Sequence, residues 1–80
     1  MLNESSLKQV MATLLNVDVG SISSDSSMDN IPNWDSLRHM NLVLALEEEF
    51  KVSIADEDAG NITSYQLIKL VLEDLLKAKD

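Results

Sequence analysis

The chain has 80 residues, a formal net charge of −8 and no cysteine. This length suits one small domain with a modest core, and it leaves little room for an enzyme with a deep cleft. The missing cysteines exclude disulfides, thiolate metal sites and a cysteine nucleophile, and the acidic charge disfavours nucleic acids and anionic membranes as partners. We therefore expect a monomer with a single domain over residues 1–80.

The first predicted helix covers about residues 4–16. Asn3, Ser5 and Ser6 are candidates for its N-terminal cap. Its apolar residues recur at the spacing of one helical face, and they are Leu7, Val10, Met11, Leu14 and Leu15. The pattern predicts an amphipathic helix with one face in the core.

A long loop is predicted between this helix and the next, from residue 16 to residue 34. The segment has no helical period, and it holds Gly20, Pro32 and five serines. Loops of this length are uncommon in small domains unless they are functional or held by apolar side chains. The candidates for such anchors are Val17, Val19, Ile22, Met28 and Ile31.

The second predicted helix begins at Asp35 or Ser36, which are favoured capping residues, and runs to Phe50. Its apolar residues cover more than half of the helix circumference, and they are Leu37, Met40, Leu42, Val43, Leu44, Leu46 and Phe50. So wide an apolar surface predicts the buried centre of a bundle. The residues left on the narrower polar arc are Arg38, Asn41, Glu48 and Glu49.

The last third of the chain predicts a short helix and a long one. Val52 and Ile54 alternate with polar residues, but two positions are too few to predict a strand. A short helix is expected over residues 56–59. Thr63 and Gln66 match a capping box at the start of the last helix. The apolar stripe of that helix is Leu67, Ile68, Val71, Leu72, Leu75 and Leu76.

Together these elements predict an all-α fold. It is a small four-helix bundle with three main helices, one short helix and a long loop between helices one and two. The N-terminus lacks the basic start and apolar run of a signal peptide, and no window approaches the ~20 apolar residues of a membrane span. We expect a soluble, cytoplasmic protein that does not insert into membranes.

The acidic residues are concentrated in the middle of the chain. Residues 29–58 hold eight acidic and two basic residues, which gives this segment a net charge of −6. An acidic surface on a small domain attracts partners with basic patches. The same charges also keep a protein soluble, and composition alone favours that simpler interpretation.

Catalytic and metal sites find little support in the sequence. A calcium loop that starts at Asp56 would need Gly at its sixth position and Glu at its twelfth, where the chain has Asn61 and Leu67. His39 is the only histidine, and we expect it to be solvent-facing or partly packed on its helix. Ser36 and His39 on one helix lack the oxyanion hole and cleft of a hydrolase. We predict no catalytic residue and no metal.

The sequence from Trp34 to Phe50, WDSLRHMNLVLALEEEF, resembles the acyl carrier protein family. The resemblance continues through Val52, Ile54 and the acidic residues 56–58 to the last helix, so it covers nearly the whole chain. Asp-Ser-Leu alone is a common tripeptide. The Leu/Glu-rich helix behind it, the order of the helices and the chain length make the resemblance specific.

The resemblance implies that Ser36 bears a covalent 4′-phosphopantetheine arm, which a phosphopantetheinyl transferase moves from coenzyme A to the serine oxygen. The thiol of the arm holds acyl or aminoacyl groups as thioesters, so a protein without cysteine performs thiol chemistry. A helix N-terminus suits the modification, because its N–H groups and dipole favour a phosphodiester. Asp35 can cap the helix and, by the resemblance, belongs to the motif that the transferase reads. Leu37 is either a core residue or an exposed partner contact.

The resemblance also implies that partner enzymes dock on the second helix. The docking candidates, expected to meet basic patches on acyl-loading and acyl-transfer enzymes, are Arg38, Met40, Asn41, Glu47 and Glu48. For the glutamates, a solvated helix end is an equally good interpretation. Arg38 and Asn41 stand where carriers of fatty acid synthesis commonly have acids, and Trp34 is more typical of specialised stand-alone carriers. We therefore predict a non-catalytic carrier with a pathway-specific role in fatty acid, polyketide or related biosynthesis.

Two alternatives stay open at this point. The chain could be an aminoacyl or peptidyl carrier protein, or it could be an acidic helical adaptor that never receives the arm. The intact mass after incubation with coenzyme A and a transferase separates the adaptor from the carriers.

Overall fold

The structure of the chain is a computed structural model that describes residues 2–79, except for the side chain of Lys79. The described residues form four α-helices and no strand. The helices are α1 (Glu4–Leu15), α2 (Ser36–Phe50), α3 (Asp56–Ala59) and α4 (Tyr65–Lys79). The buried apolar side chains form one cluster between these helices. The predicted all-α four-helix bundle, with a short third helix and a long loop after the first, is confirmed.

The expected single domain over residues 1–80 stays a prediction, because Met1 and Asp80 lie outside the described residues. Within residues 2–79, no helix combines the length and the apolar character that crossing a membrane requires.

An asparagine residue lies at each end of α1. Oδ1 of Asn3 accepts a hydrogen bond from the Ser6 N–H at 3.2 Å. Asn16 ends the helix in the left-handed conformation, with φ 56°, which asparagine tolerates better than most residues. The predicted apolar face is confirmed: Leu7, Met11 and Leu15 are buried, and Val10 and Leu14 are half-buried.

Four of the five predicted anchors hold the loop between α1 and α2 to the core. Ile22 and Ile31 are buried, and Val17 and Met28 pack against the core while partly exposed. The prediction of Val19 as an anchor is wrong, because it lies in a 3₁₀ turn, Val19–Ser21, and is 48% exposed. A single 3₁₀ turn cannot direct all of its side chains to one side, and Ile22, the residue after the turn, lies in the core.

Backbone hydrogen bonds join this loop to the segment that precedes α4. The Met28 N–H donates to the Thr63 carbonyl at 3.0 Å, and the Tyr65 N–H donates to the Ser26 carbonyl at 2.8 Å. These two bonds form an isolated antiparallel bridge. The loop that leads to α2 is therefore attached to the start of α4.

The cap of α4 lies one residue later than predicted. The predicted capping box needs Thr63 as the cap and Gln66 three residues on. In the structure, Oγ of Ser64 accepts the Leu67 N–H at 3.2 Å, and the helix begins at Tyr65. The physical reason is the bridge to the loop, which pairs Ser64 with Ser27, keeps Ser64 outside the helix and so makes it the cap.

Tyr65 joins the start of α4 to the start of α1. Its hydroxyl donates to Oε1 of Glu4 at 2.6 Å, and Nζ of Lys69 lies 3.5 Å from Oε2 of the same carboxylate. The hydrogen bond from Tyr65 lowers the pKa of Glu4, with smaller contributions from the charges of Lys69 and Lys8 against a partial opposing effect of burial. Burial, followed by the bond to Glu4, raises the pKa of Tyr65. The bond thus joins a protonated phenol to an ionised carboxylate.

We expect Tyr65→Phe to lower the melting temperature by about 5 °C at neutral pH, because the change removes one hydrogen bond and keeps the ring. The folded pKa of Glu4 lies below its ordinary value of 4.5, so the contribution of the bond is present above that value and is lost as the pH falls through the folded pKa. Thermal melts of both proteins at neutral pH and at about pH 3 test this expectation. An equal gap between the two proteins at both pH values would contradict it.

Candidate functional site

Ser36 is the first residue of α2, and it is exposed. Asp35 caps the helix in front of it: Oδ1 accepts the Arg38 N–H at 2.9 Å, and the Asp35 carbonyl accepts the His39 N–H at 2.8 Å. By helix geometry, the N–H groups of Ser36 and Leu37 have no partner within the helix. The site therefore presents a hydroxyl at the positive end of a 15-residue helix, where a phosphate ester is stabilised.

Two side chains near Ser36 join this site to the C-terminal end of α1. Nδ2 of Asn33 donates to the Leu15 carbonyl at 3.0 Å, and Nη1 of Arg38 donates to the Leu14 carbonyl at 3.3 Å. The last carbonyls of a helix lack intrahelical partners and form the negative end of its dipole, so an amide and a guanidinium both stabilise them. The half-buried Arg38 side chain thus contacts α1 instead of extending from the outer face of α2.

His39, one helical turn after Ser36, links three segments of the chain. The Trp34 Nε1–H donates to Nδ1 of His39 at 3.0 Å, and Nε2 of His39 lies 2.6 Å from the Ala59 carbonyl at the end of α3. An indole N–H can only donate and a carbonyl can only accept, so His39 is neutral here and carries its proton on Nε2. The two rings stack with 6.1 Å between centroids and 26° between planes.

The expectation that His39 is solvent-facing or partly packed is wrong, because its side chain is 6% exposed. The core admits an imidazole at this point since both ring nitrogens have partners, and every buried side-chain nitrogen and oxygen atom in the described part of the chain is hydrogen-bonded. The sequence has a spacing that is compatible with this burial, although Leu37, Met40 and Leu44 have a similar spacing on the exposed face. His39, Leu42, Val43 and Leu46 have the spacing of one helical face, and they are the buried residues of α2.

Neither ring nitrogen of His39 is directed at the Ser36 hydroxyl, since Trp34 and Ala59 take both. The pair therefore lacks the contact between nucleophile and base that a hydrolase requires. Among residues 2–79, no group of three or more His, Asp or Glu side chains is placed to hold a metal ion.

The outer face of α2 is apolar and exposed. Leu37, Met40 and Leu44 have the spacing of one helical face, and they are 74%, 56% and 59% exposed. The prediction that α2 is the buried centre of the bundle is wrong for this face, because the core covers only the opposite side of the helix. Leu37 is also not a core residue, which was one of its two interpretations, because it lies at the surface beside Ser36.

The glutamates at the C-terminal end of α2 differ in their surroundings. Glu47 is half-buried, and its Oε2 accepts the Ile54 N–H at 2.7 Å, which holds the segment between α2 and α3. Glu48 is exposed. Among the docking candidates, Met40, Asn41 and Glu48 are exposed, whereas Arg38 and Glu47 make internal hydrogen bonds.

We expect Glu47→Ala to destabilise the protein by about 1–2 kcal/mol, because it leaves the N–H of the buried Ile54 without its hydrogen-bond partner. Glu48→Ala is the matched control on the adjacent exposed position, with an expected change within about 0.5 kcal/mol. Urea unfolding followed by circular dichroism measures both variants. Equal stability of the two variants would show that the bond to Ile54 contributes nothing.

Comparison with known proteins gives two findings. A family model described as "Phosphopantetheine attachment site" matches residues 5–71, a segment that includes Ser36 and its flanking helices. The solution NMR structure of a holo acyl carrier protein from Geobacter metallireducens is similar to this chain, with a TM-score of 0.85. The two chains share 24% sequence identity, and the similarity covers 99% of this chain and 91% of that one. At this identity, the structural likeness concerns the fold.

Proposed function

Because the chain belongs to the phosphopantetheine-attachment family, we propose that Ser36 is the residue that bears its 4′-phosphopantetheine arm. Membership of this family makes the chain a carrier protein with a covalently attached arm, and its fold is that of acyl carrier proteins. The observation that carries the assignment is the exposed Ser36 at the capped N-terminus of α2, flanked by Asp35 and Leu37.

In this proposal, Oγ of Ser36 is the nucleophile of the attachment reaction. It attacks the pantetheine-bearing phosphorus of coenzyme A, the P–O bond within the pyrophosphate breaks, and adenosine 3′,5′-bisphosphate leaves while a base of the transferase takes the hydroxyl proton. The N–H groups of Ser36 and Leu37 and the helix dipole stabilise the phosphodiester that forms. Once bound, the arm supplies a thiol that holds the cargo as a thioester.

Asp35 and Leu37 present Ser36 to the transferase. The hydrogen bond that Asp35 accepts from the Arg38 N–H fixes the first turn of α2, so the direction of the Ser36 side chain is set before binding. Leu37 is 74% exposed, and it offers the transferase an apolar contact beside the reacting oxygen.

Partner enzymes bind an outer face of α2 composed of Leu37, Met40, Asn41, Leu44 and Glu48. Between residues 36 and 46 the only charged residue is Arg38, whose guanidinium donates to α1. Apart from the exposed capping residue Asp35, the face is therefore uncharged beside Ser36, and the exposed acids of α2 itself begin only at Glu48, about 18 Å away along the helix axis. Basic patches on partners can meet the chain at that distant end, whereas the partner surface beside Ser36 is apolar.

Carrier proteins of this type generally lack catalytic activity and work with biosynthetic enzymes. Our proposal for this chain is a monomeric, non-catalytic carrier of acyl groups in a specialised branch of fatty acid, polyketide or related biosynthesis, placed in the cytoplasm with its donor coenzyme A. The residues at positions 38 and 41 support a specialised role, because enzymes that recognise acids there find Arg38 and Asn41 instead.

Intact mass spectrometry tests the proposal. The apo protein, incubated with coenzyme A and a broad-specificity phosphopantetheinyl transferase, should gain the mass of one phosphopantetheine. Peptide mapping should place this gain on Ser36. A gain on another residue would overturn the assignment of Ser36, and no gain with several transferases would overturn the proposed attachment altogether.

A further inference from the structure

The contact between α2 and residues 54–59, which we name the α2–α3 seam, is held by a hydrogen bond at each end. At one end, the His39 Nε2–H donates to the Ala59 carbonyl at 2.6 Å. At the other end, Oε2 of Glu47 accepts the Ile54 N–H at 2.7 Å. The segment that carries α3 is therefore tied to α2 both near its start and near its end.

Two aromatic rings fill the end of the seam nearest to Ser36. Trp34 precedes Ser36 by two residues and is 2% exposed, and His39 follows it by three residues and is 6% exposed. The rings stack, and the Trp34 Nε1–H donates to Nδ1 of His39 at 3.0 Å. A cargo chain that entered the core from Ser36 on this side would have to displace both rings.

Displacing these rings would leave several polar groups without partners. They are the indole N–H of Trp34, both ring nitrogens of His39 and the carbonyl of Ala59, all of which are hydrogen-bonded in the closed seam. A hydrocarbon chain has no donor or acceptor with which to replace the lost bonds, and unpaired buried polar groups are strongly unfavourable. The seam therefore resists an alkyl chain more than a purely apolar contact of the same size would.

The side of Ser36 that faces α1 is held by hydrogen bonds as well. Asn33 and Arg38 donate to the carbonyls of Leu15 and Leu14 at the end of α1. Entry of an alkyl chain between α1 and α2 at this end would separate an amide and a guanidinium from their carbonyl partners. Hydrogen bonds thus hold the chain on both sides of Ser36, and those of the buried seam are the ones that hydrocarbon cannot replace.

We propose that this carrier keeps its cargo outside the core, and that the cargo is a short or polar acyl group instead of a long alkyl chain. The inference rests on the proposed attachment of the arm at Ser36. A long alkyl tail is stabilised by each methylene that it buries, and the closed seam denies it that burial. A short or polar acyl group has little apolar surface to bury.

Thermal melts of acyl-loaded protein test this inference. A broad-specificity transferase can attach acetyl-, hexanoyl- and decanoyl-phosphopantetheine from the corresponding coenzyme A thioesters, and intact mass identifies each product. We expect all three acyl forms to melt within about 2 °C of the thiol form. A larger rise that increases with chain length would overturn the inference and leave the attachment at Ser36 intact. The absence of any mass gain is the distinct result that overturns the attachment, and the inference with it.

His39→Ala is the matched variant, because it removes one ring from the seam. Its decanoyl form should melt at least about 3 °C above its own thiol form, since the alkyl chain can enter the vacated space. If decanoyl loading leaves this variant unchanged, the seam is not what excludes the chain. Should His39→Ala fail to fold, Trp34→Phe, which removes the N–H and keeps a ring, is expected to show a smaller rise in the same direction, and no rise would overturn the role of the seam.

The fluorescence of Trp34 gives an independent readout, because it is the only tryptophan of the chain and lies in the seam. Its emission maximum should be the same in the thiol and decanoyl forms of the unaltered sequence. A shift on decanoyl loading would place the alkyl chain against the indole and overturn the inference.

Discussion

In Ser36→Ala, the gain of phosphopantetheine from coenzyme A and a transferase is expected to disappear, with incorporation at least about 100-fold slower than in the unaltered protein. The reason is chemical, since the variant has no oxygen at the position that attacks phosphorus. The fold should survive, because Asp35 still caps α2 and alanine favours a helix more than serine does. Circular dichroism and intact mass, measured on the same samples, separate loss of the nucleophile from loss of the fold.

Ser53→Ala is the matched control for this experiment. Ser53 is an exposed serine just after the other end of α2, and its loss should leave incorporation unchanged. Ser36→Ala should also compete with the unaltered protein for the transferase, because its outer face of α2 is intact. Normal incorporation into Ser36→Ala would contradict the assignment of Ser36 directly.

His39→Ala is expected to destabilise the protein by about 2–4 kcal/mol, which is the second large effect. The change leaves the Trp34 N–H and the Ala59 carbonyl without partners, and it removes a ring from a residue that is only 6% exposed. Small domains have only about 5–15 kcal/mol of stability in total, so this loss is a large share. Urea unfolding followed by the fluorescence of Trp34 and by circular dichroism measures it.

Met40→Ala is the control for His39→Ala on the adjacent, exposed position, and it should change stability by no more than about 0.5 kcal/mol. Trp34→Phe should cost about 1–3 kcal/mol, because it leaves Nδ1 of the buried His39 without its donor and puts a smaller ring where the buried indole packs. The double variant of Trp34 and His39 should cost less than the sum of the single changes, since both remove the same bond. A cost for His39→Ala no larger than that for Met40→Ala would contradict the structural role of the imidazole.

The predictions for Ser36→Ala and His39→Ala concern opposite faces of one helix. The inner face of α2 carries His39 and the aliphatic residues that hold the bundle together. The outer face carries Leu37, Met40 and Leu44 beside the hydroxyl of Ser36. Substitutions on the inner face should therefore change stability first, and substitutions on the outer face should change partner binding without unfolding the protein.

The helices and the candidate modification site could be predicted from the sequence because their signals are local. Periodic apolar residues give α1 and α4, and a capping residue before a long helix gives the start of α2 within one residue. Ser36 was identifiable since the Asp-Ser-Leu motif and the helix behind it lie in one continuous stretch. Local signals of this kind do not depend on which element packs against which.

The partners of polar side chains could not be predicted, because those partners are distant along the chain. Arg38 donates to a carbonyl of α1 that is 24 residues away, and His39 contacts a carbonyl 20 residues away. Glu47 accepts an N–H beyond the end of its own helix. Side chains of these three types usually lie at the protein surface, and only the packing of α1, α2 and α3 gives them internal partners.

The sequence by itself determined an all-α carrier fold and one helix-terminal serine, because helical period, capping and the Asp-Ser-Leu motif are written in neighbouring residues. Only the tertiary structure decided which apolar face of α2 enters the core and which stays outside. The apolar residues of α2 cover more than half of its circumference, so periodicity cannot choose between its faces. In the structure, Leu42 and Leu46 enter the core together with His39, whose ring nitrogens both have partners there, and Leu37 stays exposed beside Ser36.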